Sequence, residues 1–240
     1  MTGEGRVAEE PVLVWDRPER GARGPAPERS RAQLTRAAIR LADAGGLAAV
    51  SVRQVAGELG TGPASLYRYI AGRDDLLDLM TDAVTGEIDL TVAPTGDPVA
   101  DLVALSLRSR EVHLRHPWLV EVPSEALRLG PRGLDHLEYA LGALAPLPLP
   151  GRSKLEAIAA LSALVTMLCR AELQSHRSPS ARQVAQAAYL STAARAGEHP
   201  LLTQALAGRE ATPPADAPAV FERVVRRALT GLLAPGSESP

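Results

Sequence analysis

Aromatic residues are scarce: the 240-residue chain has one Phe, two Trp and four Tyr, 3% of the whole. The 45% hydrophobic content therefore rests mainly on Ala, Leu and Val, a mixture that favours packed helices over a β-sandwich. Strand–helix alternation is missing as well, so an all-α fold is expected. Cys169 is the single cysteine, which excludes an intrachain disulfide framework and fits a reducing compartment. No long hydrophobic run occurs. The longest, Ala157 to Cys169, is interrupted by Ser162 and Thr166 and ends at Arg170, too short to span a bilayer. The N-terminal MTGEGRVAEE lacks an apolar signal core. A cytoplasmic protein with no membrane partner is expected.

The usual signs of catalysis are missing too. There is no G-x-S-x-G and no phosphate-cradling glycine loop, and Cys169 has no His near it in sequence. His113-x-x-His116 has helical spacing, but no carboxylate or Cys accompanies it in a familiar zinc pattern, and Pro117 ends the helix at that point. A non-enzyme without metal or cofactor is expected.

What is present is unevenly placed charge and regular punctuation. The whole chain carries a formal −2. Between Arg17 and Asp75 ten basic residues face six acidic ones, a local +4 that leaves −6 for the rest. A basic head on an acidic body suits a nucleic-acid-binding module joined to a separate regulatory body.

Residues 1–27 are rich in Gly, Pro and charge and read as a mobile basic arm. Arg17, Arg20 and Arg23 there serve either as a minor-groove arm or as a solvated tail. Ser30-x-x-Gln33 and Ser51-x-x-Gln54 are capping boxes. The first opens a helix with Leu34, Ala38 and Leu41 on its buried face, stopped by Gly45-Gly46. The second opens a short helix burying Val52, Val55, Ala56 and Leu59, closed by Gly60. Pro63 then starts a brief helix that buries Leu66 and Ile70 and leaves Ala64, Ser65, Arg68 and Tyr69 outside. Asp74 and Asp75 open a fourth helix, expected to run from Arg73 to about Leu90 with Leu76, Leu77, Met80 and Val84 inward. Two short helices joined by a glycine-containing turn and braced on both sides form a helix-turn-helix.

Further helices are expected at about 98–115, 123–130, 131–144, 152–176, 180–195 and 217–233, between proline-rich breaks. The domains then read as arm 1–27, helix-turn-helix 28–75, a helical body 76–235, and a disordered tail 236–240. The last helix carries an apolar stripe of Phe221, Val224, Val225, Ala228 and Leu232, and the helix at 152–176 is apolar over much of its girth. The stripe could bury entirely within its own subunit. Paired with the long helix across a twofold axis, it would instead make a four-helix homodimer interface suited to a palindromic site, and this is the arrangement expected.

The segment SVRQVAGELGTGPASLYRYI from Ser51, with GRDDLL from Gly72 and RLADA before Gly45-Gly46, resembles the DNA-binding domain of the tetracycline-repressor (TetR) family over about residues 31–84. Arg115-His-Pro-Trp-Leu119 and the helix order look like the branch with a TetR-type C-terminal domain. The resemblance implies a repressor that binds double-stranded operator DNA as a homodimer and leaves it on binding a small-molecule effector. By position, Arg53, Ala64, Ser65 and Arg68 would read bases, while Thr61, Tyr67, Tyr69 and Arg73 would grip phosphates. The Tyr67 ring suits either a phosphate contact or packing beneath the helix. An effector pocket would be lined from Met80, His113, Trp118, Leu137, Tyr139, Leu161 and Met167, any of which is equally readable as ordinary core. The alternative is a ligand-binding protein of the same fold that has lost DNA binding; the unbroken motif with Arg53, Arg68 and Arg73 argues against it.

Overall fold

Ser30 starts the first helix as its spacing requires. Its hydroxyl accepts the Gln33 N–H at 3.3 Å, and the Gln33 side chain accepts the Ser30 N–H at 2.9 Å. In the computed structural model, residues 12–17, 30–123, 129–176, 178–196, 198–210 and 216–234 are described, the side chains of 207–210 apart. Arg20, Arg23, the remainder of the expected arm, most of the expected helix at 123–130 and the tail after 234 lie outside them. Among the described residues the chain is helical and has no strand.

Helix α1 spans Arg31–Gly45 and buries Leu34, Ala37, Ala38 and Ala42. Gly46 ends it at φ 73°, a left-handed conformation that suits glycine, and returns its N–H to Ala42. Helix α2 is Val52–Glu58. Ser51 accepts the Gln54 N–H, but only half of the expected box forms, because the Ser51 hydroxyl donates to Gln54 Oε1 at 2.6 Å. Helix α3 is a single turn, Pro63–Leu66, with Pro at its first position. Helix α4 is Arg73–Thr85, a turn shorter than expected, ending at Gly86. The later helices are α5 Pro98–Arg115, α6 Pro131–Ala143, α7 Gly151–Ser175, α8 Ala181–Arg195, α9 Pro200–Glu210 and α10 Ala217–Leu232. α9 was not foreseen. Single-turn 3-10 segments lie at Val14–Asp16, Leu47–Ala49 and Pro117–Glu121.

The chain divides into two compact units, and the division departs from the expected boundary at residue 75. The first unit comprises Met1–Ala93 with Arg115–Ala140, the second Pro94–Leu114 with Leu141–Pro240. In the first, α1 packs on α2 and α4, and α2 on α3, around Leu34, Val55, Leu66, Ile70, Leu76 and Met80. The Val14–Asp16 turn also packs on α4, with Val14 fully buried. Residues 12–17 are thus a docked strap and not part of a mobile arm. Apolar Val14 outweighs its Pro- and charge-rich surroundings.

In the second unit α10 lies along α7, closing Phe221, Val225 and Leu229 against a core that includes Ile158, Leu161, Val165 and Cys169. The nearly buried Arg110 guanidinium of α5 makes a two-pronged pair with Glu172 of α7 and lies 5.7 Å from the Phe221 ring centre. No described helix is long and apolar enough to cross a membrane.

Candidate nucleic-acid interface

The turn between α2 and α3 is knit by hydroxyls. Ser65 donates to the Gly62 carbonyl at 2.7 Å, so the Thr61 hydroxyl supplies the proton of the 2.8 Å Thr61–Ser65 contact. Both side chains of this pair are committed to holding the N-terminus of α3. Beyond it, Arg53 of α2 and Ala64, Tyr67 and Arg68 of α3 and its exit are all exposed. Tyr67 is 57% exposed, so its ring does not pack beneath the helix. Arg68 is laid back in the free protein, its Nε 3.4 Å from the Ser65 carbonyl and its guanidinium 5.7 Å from the Tyr69 ring centre. Arg73, exposed at the start of α4, donates to the Leu47 carbonyl at 3.3 Å.

Tyr69 corrects the sequence reading. It is buried, 4% exposed, where an outward phosphate contact was expected. Tyr69 and Ile70 follow the buried Leu66 at i+3 and i+4, the spacing of one helical face, and their N–H groups both bond the Leu66 carbonyl, at 2.8 and 3.2 Å, so both turn inward with it.

The effector candidates divide between the units. Met80, Trp118, Leu137 and Tyr139 belong to the first and His113, Leu161 and Met167 to the second. Two stand in contrasting surroundings. Met167 is 58% exposed on α7. Trp118 is fully enclosed in the first unit, where its indole N–H donates to Asp43 of α1. Tyr139 donates its hydroxyl to the Val92 carbonyl at 2.6 Å. His113 donates from Nδ1 to the Ser109 carbonyl at 2.8 Å, and burial pushes its pKa down, so the neutral ring keeps a lone pair on Nε2. His116 binds elsewhere, its Nδ1 2.7 Å from Asp43 and its Nε2 3.2 Å from Glu87. The two imidazoles therefore have separate partners. Among the described residues no cluster of three His, Cys, Asp or Glu could hold a metal ion. Burial pushes the Cys169 thiol up to about 12, far from a nucleophile's range.

The expected dimer stripe is covered only in part within its own subunit. Phe221 and Val225 are buried within their own subunit, together with Leu229. Val224 and Ala228 are half-buried, and Leu232 is exposed. α10 packs along α7 of its own subunit.

Two family profiles cover most of the chain. Residues 34–80 match bacterial regulatory proteins of the tetR family, and residues 92–235 match the tetracyclin repressor-like C-terminal domain. The chain belongs to the TetR family. It is a helix-turn-helix transcriptional regulator.

Among curated relatives, the transcriptional repressor DrrR1 of Streptomyces coeruleorubidus is 37% identical over 72% of this chain. That match spans 64% of DrrR1's own length, a little under two thirds. A transcriptional regulator of Saccharopolyspora erythraea is 32% identical over 93% of this chain and 92% of its own. Among solved structures, the TetR-family protein ActR of Streptomyces coelicolor in complex with actinorhodin superposes with a TM-score of 0.73 at 28% identity. That match covers 90% of this chain and 100% of the ActR chain. ActR in complex with (S)-DNPA gives 0.71 at 29% identity, covering 87% and 98%. The docked strap at 12–17 precedes both matched family segments.

Proposed function

We propose that this TetR-family regulator represses transcription in the cytoplasm by binding a palindromic operator as a homodimer, and that a small-molecule effector releases it. The carrying observation is the exposed face of the helix-turn-helix, where Arg53, Ala64, Tyr67 and Arg68 stand out from a packed three-helix base. Arg53 is the candidate for a forked contact to guanine, Ala64 allows close approach to a thymine methyl, and Tyr67 and Arg73 serve the phosphates. Thr61 and Ser65 act here by fixing the end of α3 and leave base reading chiefly to Arg53 and Arg68.

Repression as the sign of regulation draws support from DrrR1, a repressor. The effector half draws support from ActR, whose structures hold actinorhodin and (S)-DNPA. His113 and Leu161 in the second unit remain candidates for contacting an effector here, with His113 Nε2 ready to accept a hydrogen bond. For the homodimer, the support is the large apolar side chains left exposed on the second unit's helices, Leu155 and Met167 on α7, Tyr189 and Leu190 on α8 and Leu232 on α10.

The test is binding to duplexes that the protein itself selects from random sequence. Arg53→Ala should cost about 1–3 kcal/mol on the selected site and little on scrambled DNA. Absence of salt-sensitive binding by the wild type would overturn the reading. Metabolites that raise the melting temperature should then release the selected duplex.

A further inference from the structure

Resting on the DNA-binding reading, we infer that the N-terminal strap Leu13–Arg17 is a positioning element for the recognition helix, acting through Asp75 and Arg31. The starting point is the brevity of α3. A four-residue helix has almost no stability of its own, so its direction is set by whatever holds its two ends. The Thr61–Ser65–Gly62 hydroxyl chain holds its start. Its exit, at Tyr69 to Ala71, is held by two side chains. Asp75 Oδ2 accepts the Ala71 N–H at 2.6 Å, and Arg31 Nε lies 3.4 Å from the Tyr69 carbonyl.

Both braces are engaged by residue 17. Arg17 Nη1 donates to the same Asp75 oxygen at 2.9 Å, and Arg31 Nη2 donates to the Arg17 carbonyl at 2.8 Å. The pair is shielded, with the Arg17 and Asp75 side chains 31% and 13% exposed, so salt screens it less than a surface pair. The strap is itself anchored. Val14 is fully buried against the head, and Arg17 Nη2 closes the turn on the Val12 carbonyl at 2.8 Å. A ring carbon of Trp15 sits where a Cβ on Gly130 would be only 2.4 Å away, so the indole is seated on the chain just before α6. A strap fixed at Val14 and Trp15 thus presents Arg17 to the two groups that hold the end of α3.

Charge logic separates positioning from direct contact. If Arg17 touched phosphate, losing it would weaken all DNA alike and lower the slope of log K against log salt by about one. If Asp75 acted only through its charge, removing that charge near DNA would strengthen binding. Positioning predicts the opposite on both counts.

The experiment measures full-length Arg17→Met, Asp75→Asn and the double variant on the selected duplex and on scrambled DNA over a range of salt, with thermal unfolding alongside. Each single variant should bind the selected duplex about tenfold more weakly, as for the loss of one charged hydrogen bond. Scrambled-DNA affinity and the salt slope should hold, and the double variant should be no worse than either single one. A lower slope with equal losses on both duplexes, tighter binding by Asp75→Asn, or no change would each overturn the inference. If Asp75→Asn does not fold, Arg17→Lys carries the test. It keeps the charge but gives up the planar fork whose separate nitrogens reach Asp75 and the Val12 carbonyl, so it should lose selected-site affinity at constant slope. Loss of salt-sensitive binding in the wild type sinks the DNA reading itself, whereas unaffected variants of a DNA-binding wild type sink only the strap.

Discussion

The Trp118 indole N–H donates to the Asp43 carboxylate at 2.8 Å, joining residues 75 positions apart. The same oxygen lies 2.7 Å from His116 Nδ1, and Glu121 accepts the Leu47 N–H at 3.2 Å, so the Pro117–Glu121 turn is fastened to α1 and the turn after it. Trp118→Phe deletes the donor and leaves a cavity where the larger indole was, and should cost about 2–4 kcal/mol in urea unfolding. Asp43→Ala strands an enclosed indole N–H without emptying the core and should cost about 2–3 kcal/mol. An Asp43→Ala protein as stable as the wild type would show that the turn is held by packing alone.

Glu87 should make stability sensitive to acid. Burial raises its carboxyl, but hydrogen bonds from Arg115 and His116 outweigh that and hold it below its ordinary 4.5. A carboxylate with a depressed folded pKa stabilises above its unfolded value, and that contribution fades as pH falls through the lower folded value. Unfolding at a series of pH values should therefore show wild type ahead of Glu87→Gln by a constant margin above about pH 5. The margin should close below 4.5. A margin that widens in acid would contradict the assignment.

Asp82 carries the opposite sign. Burial raises its pKa, and the N–H groups of Gly133 and Arg132, at 3.0 and 2.9 Å, only partly offset this. It serves as an N-terminal cap for α6 supplied from α4. Its charge costs stability as pH rises from 3.8 through the higher folded value. Asp82→Asn keeps an acceptor and should stay within about 1 kcal/mol of wild type, gaining on it as pH rises through that window. Asp82→Ala leaves two helix N–H groups unmet and should lose about 1–2 kcal/mol.

The second unit separates folding from assembly. Leu229, fully buried under α7, should cost about 2–5 kcal/mol as Leu229→Ala, and Val225→Glu should unfold the protein outright. Met167→Glu and Leu232→Glu fall on exposed positions and should leave the melting temperature in place while sedimentation shifts toward monomer. A wild type already monomeric at micromolar concentration would end the homodimer proposal.

Local signals made much of this legible. Ser30–Gln33, Gly46 and Pro63 each define a boundary through groups a few residues apart, and the structure keeps all three. The exposed Arg53, Tyr67 and Arg68 follow from the same short-range pattern. The missed features depend on partners far along the chain or on weak periodicity. The Trp118 indole meets Asp43 from 75 positions away, and Arg17 looks like arm charge until it meets Asp75. Helix α9 has no clean apolar side, with Leu201 80% exposed, so a search for a buried stripe passes over it. The α10 stripe is covered by its own α7 at Phe221 and Val225 and left open at Leu232, a division that periodicity does not display, since it shows an apolar face and not what covers each part of it.

The interleaving of the two units bears on how such regulators can be recombined. The chain passes between them at 93/94, 114/115 and 140/141, so residues 115–140 travel with the head although they fall within the C-terminal family segment. A chimera that joins this head to a foreign body at a single seam after α4 would sever Asp43 from Trp118, Leu47 from Glu121 and Asp82 from the start of α6. Transplanting its DNA specificity intact calls for two inserted pieces, 12–93 and 115–140, with the recipient supplying everything between and after them.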